Sequence, residues 1–314
     1  MKIAVIETPE IFNIGNAFIN QGGRILVENT FAREHQITYL KSMESGNLAL
    51  SNHSEPFCEY SCQILEAADL IIVFGGSCLN RYAIRQFDYL KILHQPKILL
   101  GAGFYENIKN EFEIYGNIVN EFDLIFTRDE KTYALLSGGG NLKNVIDSID
   151  LSFWLQHEQY RLMSEAPKRA YFVLNLDSPE KAETMRRIFK ERKEENPIIS
   201  WNNSTRVENI FNSDWSKTYR SFIGDGWEDY LKFYGAASEV LTNRLHTFAA
   251  CMAMDTPCRI LFDKANYGRY MFLLKAFPNL SPDPVYQKKD FEKARKRLFK
   301  YQDNAQRILH NFFK

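Results

Sequence analysis

Apolar runs bounded by turn residues recur along the first half of the chain, at Ile3–Ile6, Ile37–Leu40, Leu70–Phe74, Lys97–Leu100, Leu124–Phe126 and Val145–Ile146. Most of the intervals between them are long enough for a helix. The runs are continuous rather than alternating, the pattern of strands buried on both faces of a parallel sheet. Such strand–helix alternation predicts right-handed crossovers and a doubly wound α/β layer structure. A polar stretch, QHEQYRLMSEAPKRA, then interrupts the pattern. It restarts with a strand at Tyr171–Leu174 and a charged helix, SPEKAETMRRIFKERKEEN, in which Pro179 and the acidic first turn suit a helix entry. Another strand is expected at Ile198–Trp201.

The stretch VLTNRLHTFAACMAMDTPCRILFD carries the most information. Ser238–Thr242 is short and extended in character, Leu245–Met254 has apolar residues spaced like a buried helix, and Cys258–Phe262 is a second strand-like run after Pro257. The result is a β–turn–α–turn–β pattern with a polar pair, Arg244 and His246, at its first turn. At the far end, FEKARKRLFKYQDNAQRILHNFFK is a helix with Leu298, Tyr301, Ala305, Leu309 and Phe312 on one stripe. Its Lys293, Arg295, Lys296 and Arg297 read as a solvated face rather than an anionic-membrane patch. Two α/β domains are expected, 1–160 and 161–280, with a helical tail at 281–314 and the boundary near 156–168. No internal sequence repeat is evident.

Composition narrows the function classes. A chain of 314 residues can bury two cores. Its 39 basic and 39 acidic side chains balance, so nothing calls for a bulk polyanion such as nucleic acid, while local clusters remain able to bind small anions. The start, MKIAVIET, reads as a buried strand rather than a secretory signal. No run approaches the roughly 18 apolar residues of a membrane span. The five cysteines are Cys58, Cys62, Cys78, Cys251 and Cys258. Cys58 and Cys62 stand near His53, but no second matching pair completes a zinc site. Free thiols without a signal point to the cytoplasm.

Ligands of open parallel sheets sit beyond the carboxyl ends of the strands, which selects five turns. In NIGNAF, Gly15 allows close backbone approach, and Asn13 and Asn16 offer contacts to sugar hydroxyls or phosphate; a turn with a helix N-cap is the plain alternative. The G-x-G-x-x-G nucleotide fingerprint is absent there. In VFGGSCLN, Gly75 and Gly76 end an apolar strand before Ser77, and their exposed amides suit an anion or sugar. LLGAGFYE repeats that logic at Gly101 and Gly103. LIFTRDEKTYALL sets Arg128 at a strand end, where it either binds an anion or pairs with an acid, and sets Asp129 and Glu130 in a first helical turn. The fifth turn is Arg244–His246. A helix N-terminus offers unpaired N–H groups and partial positive charge. Arg244 adds a planar fork for carboxylate or phosphate, and His246 can exchange a proton near neutral pH. Together they describe a site for a small, multiply charged anion whose reaction needs a proton. The alternative is a buried histidine bonded to a carbonyl and an arginine paired with an acid.

The R-L-H segment resembles that of the polysaccharide pyruvyltransferase family, where R-L-H follows a strand and opens a helix rich in small apolar residues. DLIFTRDEKTYALL is similar to the family's R-D-E segment and IIVFGGSCLN to its glycine-rich strand end, in the same order over most of residues 1–265. Asp255 stands where glycine is usual before the proline, and Asn16 where many members have an aspartate. The resemblance implies two Rossmann-like domains facing across a cleft, the GT-B arrangement. It implies transfer of pyruvate from phosphoenolpyruvate onto two sugar hydroxyls, with no redox cofactor and no obligatory metal. His246 then corresponds to the acid/base residue, Arg244, Leu245 and Arg128 to the donor-binding side, and Asn13, Gly15, Asn16, Gly75, Gly76 and Ser77 to the acceptor side. The implied partners are phosphoenolpyruvate and a sugar or glycan acceptor, with peripheral membrane contact where that acceptor is lipid-linked. The competing functions are a nucleotide-sugar glycosyltransferase, for which Glu228 and Asp229 are the ribose candidates, and a non-catalytic sugar- or anion-binding protein.

Overall fold

The computed structural model describes residues 1–8, 13–32, 34–41, 57–79, 84–104, 118–138, 144–156, 171–175, 187–188, 190–192, 197–201, 220–261, 270–281 and 284–312. The chain gathers into two units. The first comprises Met1–Pro9, Ile19–Trp154 and Arg297–Lys314; the second comprises Glu10–Phe18 and Leu155–Lys296.

The first unit carries six parallel strands: β1 (Lys2–Glu7), β2 (Gln36–Lys41), β3 (Leu70–Leu79), β4 (Lys97–Phe104), β5 (Leu124–Thr127) and β6 (Val145–Asp147). Their order is β2-β1-β3-β4-β5-β6, so the winding reverses between β1 and β3. Each of the six expected strands is present. Their apolar runs fill both faces: Ile71, Val73, Leu99, Ala102 and Ile125 pack in one cluster with Phe87, Phe122 and Leu136. Burying such a side chain contributes about 1.5–3 kcal/mol. Helices α1 (Ile14–Phe31), α2 (Glu59–Glu66), α3 (Ile84–Lys91) and α4 (Glu130–Gly138) intervene along the chain. Glu7, 1% exposed at the end of β1, takes the Arg24 guanidinium in two places, 2.5 and 2.9 Å, and so ties that strand end to α1.

The second unit is a five-stranded parallel sheet: β7 (Phe172–Asn175), β8 (Ile198–Ser200), β9 (Arg220–Phe222), β10 (Glu239–Thr242) and β11 (Cys258–Ile260). The order is β11-β10-β7-β8-β9, with the reversal between β7 and β10. Strand β9 has no apolar run to announce it; its first two residues, Arg220 and Ser221, are exposed at the sheet edge. The charged helix expected after Pro179 lies mostly outside the described residues. Helices α5 (Trp227–Ala236), α6 (Leu245–Ala253) and the short α7 (Met271–Leu274) follow.

Helix α6 is buried from Thr247 to Ala253, because its small apolar residues let neighbours close around it. Phe248 meets Phe277, Tyr286 and Phe291 edge-on, at centroid distances of 5.2, 5.4 and 6.0 Å. The helix ends in a Schellman turn: Thr256 N–H donates to Cys251 at 2.9 Å and Asp255 N–H to Met252 at 3.4 Å. Asp255 takes the left-handed φ of 51° that this turn demands, a conformation glycine adopts at no steric cost. Arg295 compensates, bonding the Asp255 carboxylate at 2.6 Å and the Met252 carbonyl at 2.9 Å. The last helix, α8 (Lys288–Phe312), buries Leu298, Ala305 and Leu309 and partly buries Tyr301 and Phe312, the stripe its sequence predicts. Among the described residues no helix is long and apolar enough to cross a membrane.

Candidate functional site

The turn at Arg244 lies where the winding of the second sheet reverses, because β10 pairs with β7 and places Thr242 opposite Asn175. Such reversal points leave a crevice outside the strand ends, where open α/β sheets bind their ligands. Asn175, 1% exposed, ends β7 and organises the turn. Its side-chain oxygen accepts from Thr247 at 2.8 Å and from Thr242 at 3.0 Å, and its amide donates to the Ser200 carbonyl at 3.0 Å. The Thr242 hydroxyl in turn accepts the Arg244 backbone N–H at 2.9 Å. Asn243 donates its N–H to the Asn175 carbonyl at 3.3 Å, and Tyr270 donates to the Asn243 carbonyl at 3.2 Å. The strand ends and the first turn of α6 are therefore bonded into one frame. Burial raises the Tyr234 phenol well above its usual range, against the pull of its bonds to Ser200 and Thr247.

Arg244 is the N-cap residue of α6, with extended backbone at φ −99° and ψ 125°. Its own side chain makes no capping bond to the helix start. Leu245 and His246 form the first turn, and all three residues are half-buried. The His246 ring lies nearly parallel to Phe272, with centroids 5.8 Å apart. Burial pushes the Tyr230 phenol up, while the Gly224 backbone and then the Arg244 charge pull it down. Tyr230 itself donates to the Trp201 carbonyl. A cation with forked donors, a helix N-terminus and an imidazole thus converge, which suits an oxyanion and a proton transfer.

The Asn13–Asn16 turn, expected with the first domain, belongs to the second unit. Gly15 packs against His246 so closely that a Cβ there would lie 2.5 Å from Nδ1. Asn13 Oδ1 accepts the Gly15 N–H at 3.0 Å, the capping bond of α1, and lies 3.5 Å from Nη1 of Arg244.

The remaining candidates stand in the first unit. Strand β3, expected to stop at Phe74, continues to Leu79 with a register irregularity between Gly76 and Leu79. At Gly75 a Cβ would come within 2.7 Å of the Gly101 carbonyl oxygen, so these glycines let β3 and β4 approach. Strand β4 likewise runs through Gly101 and Gly103, and Gly103 leaves the room that the Arg128 side chain fills. The backbone of Ser77 lies in β3. Arg128 is 6% exposed, 3.6 Å from Asp150 and 3.7 Å from Asp129. Asp129 also caps α4, accepting from the Thr132 N–H at 2.8 Å and its hydroxyl at 2.9 Å. In the second unit, Asp229 accepts the Asp225 N–H at 3.0 Å, a local bond at the start of α5, where Glu228 occupies the first turn. Cys58 is exposed and Cys62 half-buried, His53 lies outside the described residues, and no group of three or more His, Cys, Asp or Glu among those described is placed to hold a metal.

Asn175, Thr242 and Thr247 escaped the sequence reading. For Asn175 and Thr242 the signal was a polar residue closing an apolar strand, in YFVLN and EVLT, which alone does not distinguish a turn from a frame; Thr247, inside the helix-like run, had none.

Comparison with solved structures shows the same architecture at low identity. The UDP-GlcNAc 2-epimerase of Methanocaldococcus jannaschii is 14% identical over 100% of this chain and 99% of its own, with a TM-score of 0.57. That of Neisseria meningitidis, bound to UDP-GlcNAc, is 9% identical over 98% and 94%, with a TM-score of 0.58. Staphylococcus aureus MnaA with UDP is 14% identical over 97% and 90%, at 0.57. The likeness is one of fold: α/β, two Rossmann-like units of the GT-B type with a C-terminal helix. Among curated proteins no sequence relative matches. The family described as polysaccharide pyruvyl transferase matches residues 11–261, a span that takes in the Asn13–Asn16 turn, Arg128 and the whole R-L-H frame, and the chain belongs to that family.

Proposed function

We propose that the protein moves pyruvate from phosphoenolpyruvate onto two hydroxyls of a sugar in a glycan or glycan precursor, forming a cyclic ketal. The observation that carries this reading is the convergence of Arg244 and His246 at the opening of α6, beyond the reversal point of the second sheet. Phosphoenolpyruvate bears a carboxylate and a phosphate. Arg244 grips one of them through its fork, and the N–H groups of the first turn, from Leu245 onward, receive negative charge. His246 donates a proton to the methylene carbon, which becomes a methyl group and leaves the neighbouring carbon electrophilic. The oxygen of the first sugar hydroxyl bonds to that carbon and gives up its proton. The carbon–oxygen bond to phosphate breaks, and phosphate departs with the electron pair. The second hydroxyl then bonds to the same carbon and loses its proton, closing the ketal. One hydroxyl proton replaces the one His246 gave, and the other leaves with phosphate or solvent. Positive charge held beside the departing phosphate lowers the barrier to that step.

Mass spectrometry of candidate glycans incubated with the protein and phosphoenolpyruvate tests the reaction. The expected product gains one pyruvate less one water, with phosphate released. In a thermal-shift comparison, phosphoenolpyruvate should protect the protein and a panel of nucleotide sugars should not. Protection by a nucleotide sugar alone would replace this reading with a glycosyltransferase.

A further inference from the structure

The turn that opens α1 touches both polar members of the R-L-H segment. Two groups of α1 itself set the Asn13 side-chain amide: its Oδ1 accepts the Gly15 N–H at 3.0 Å and its Nδ2 donates to Asn16 Oδ1 at 3.4 Å, while its backbone carbonyl accepts the Asn16 N–H at 2.9 Å. That orientation turns the oxygen toward Nη1 of Arg244, 3.5 Å away. Two residues on, Gly15 backs the His246 ring, where a Cβ would lie 2.5 Å from Nδ1 and 3.1 Å from Cγ.

We propose that Asn13 is a positioning residue of the donor site rather than an acceptor contact. Its neutral amide oxygen steers the Arg244 fork without setting a negative charge beside it, and Gly15 fixes the place of the imidazole. This rests on the reading of Arg244 as the donor-binding cation. The chemistry of position 13 separates this role from simple helix capping. Asn and Asp cap helices about equally well. An aspartate would therefore keep the start of α1 but set a carboxylate beside Arg244, where it competes with the donor for the same fork.

The test is calorimetric titration of phosphoenolpyruvate into the wild-type protein and the Asn13→Asp, Asn13→Ser and Arg244→Ala variants, with melting temperatures alongside. Asn13→Asp should melt like the wild type and bind phosphoenolpyruvate roughly ten- to a hundredfold more weakly, the scale of a lost hydrogen bond to a charged group. Asn13→Ser also caps but is too short to reach the guanidinium, and should weaken binding less than the aspartate does. Wild-type affinity in both Asn13 variants, alongside weak binding by Arg244→Ala, overturns the positioning role and leaves the proposed function standing. Undiminished affinity in Arg244→Ala, or no binding by the wild type, removes the donor reading and this inference with it.

Discussion

Arg128 and Arg244 occupy the same place in the grammar of the fold and meet opposite surroundings. Each follows a parallel strand and precedes a helix, in LIFTRDE and VLTNRLH. Arg128 is 6% exposed and stands between two carboxylates, those of Asp150 and Asp129. Arg244 is half-buried, and Asn13 Oδ1, a neutral amide oxygen, lies 3.5 Å from its Nη1. The helix after Arg128 is capped by the Asp129 carboxylate, whereas the N-cap of α6 is Arg244, whose own side chain makes no capping bond. The difference teaches that strand–Arg–helix is not by itself a ligand site. What sets the two apart is that buried carboxylates stand beside Arg128, whereas a neutral amide is among the groups beside Arg244.

The largest effect that would sharpen this contrast is on turnover. His246→Ala should slow ketal formation about 10²- to 10⁴-fold, the scale of a positioned general acid. His246→Gln, which bonds but does not donate the proton, should be equally slow. Near-normal turnover in the glutamine variant would give the imidazole a purely structural role and the two turns would look alike.

Next in size is the cost of removing Arg128. Asp150 is 1% exposed, and stripping its cation leaves a buried charge behind. Arg128→Ala should lose about 3–5 kcal/mol of stability in a denaturant titration, with phosphoenolpyruvate affinity changing less than in Arg244→Ala. A variant that melts normally and binds phosphoenolpyruvate poorly would break the comparison and put Arg128 on the donor, as the family resemblance implies.

Arg244→Ala should do the reverse, costing about 1.5–3 kcal/mol of phosphoenolpyruvate binding by calorimetry and little thermal stability. Arg244→Lys should recover only part, since an ammonium does not reproduce the fork.

The smallest expected effect concerns the far end of α6. Asp255→Ala keeps a side chain at positive φ and gives up the Arg295 pair, and should destabilise by about 1–2 kcal/mol. Asp255→Gly loses the pair but relieves the backbone, and should cost less. Neither should alter phosphoenolpyruvate affinity; if one does, the frame of α6 and its binding end are coupled.

The alternation of apolar runs already determined the class of fold, because strands buried on both faces leave an unbroken apolar signature while the helices between them do not compete for it. The R-L-H turn was legible for the same reason: two polar residues at the joint of a strand and a buried helix have few structural uses. Strand β9 stayed hidden, since an edge strand with Arg220 and Ser221 exposed carries no such signature. Sequence alone did not separate Arg128 from Arg244, whose neighbours in space include Asp150 and Asn13, distant along the chain. Nor did it assign the Asn13–Asn16 turn to the second unit, or show that Gly75 serves the approach of β3 to β4. Hydrophobic periodicity is local and survives in the sequence, but the balance of a buried charge is set by whichever groups the topology brings within a few ångströms, and only the tertiary structure decided that.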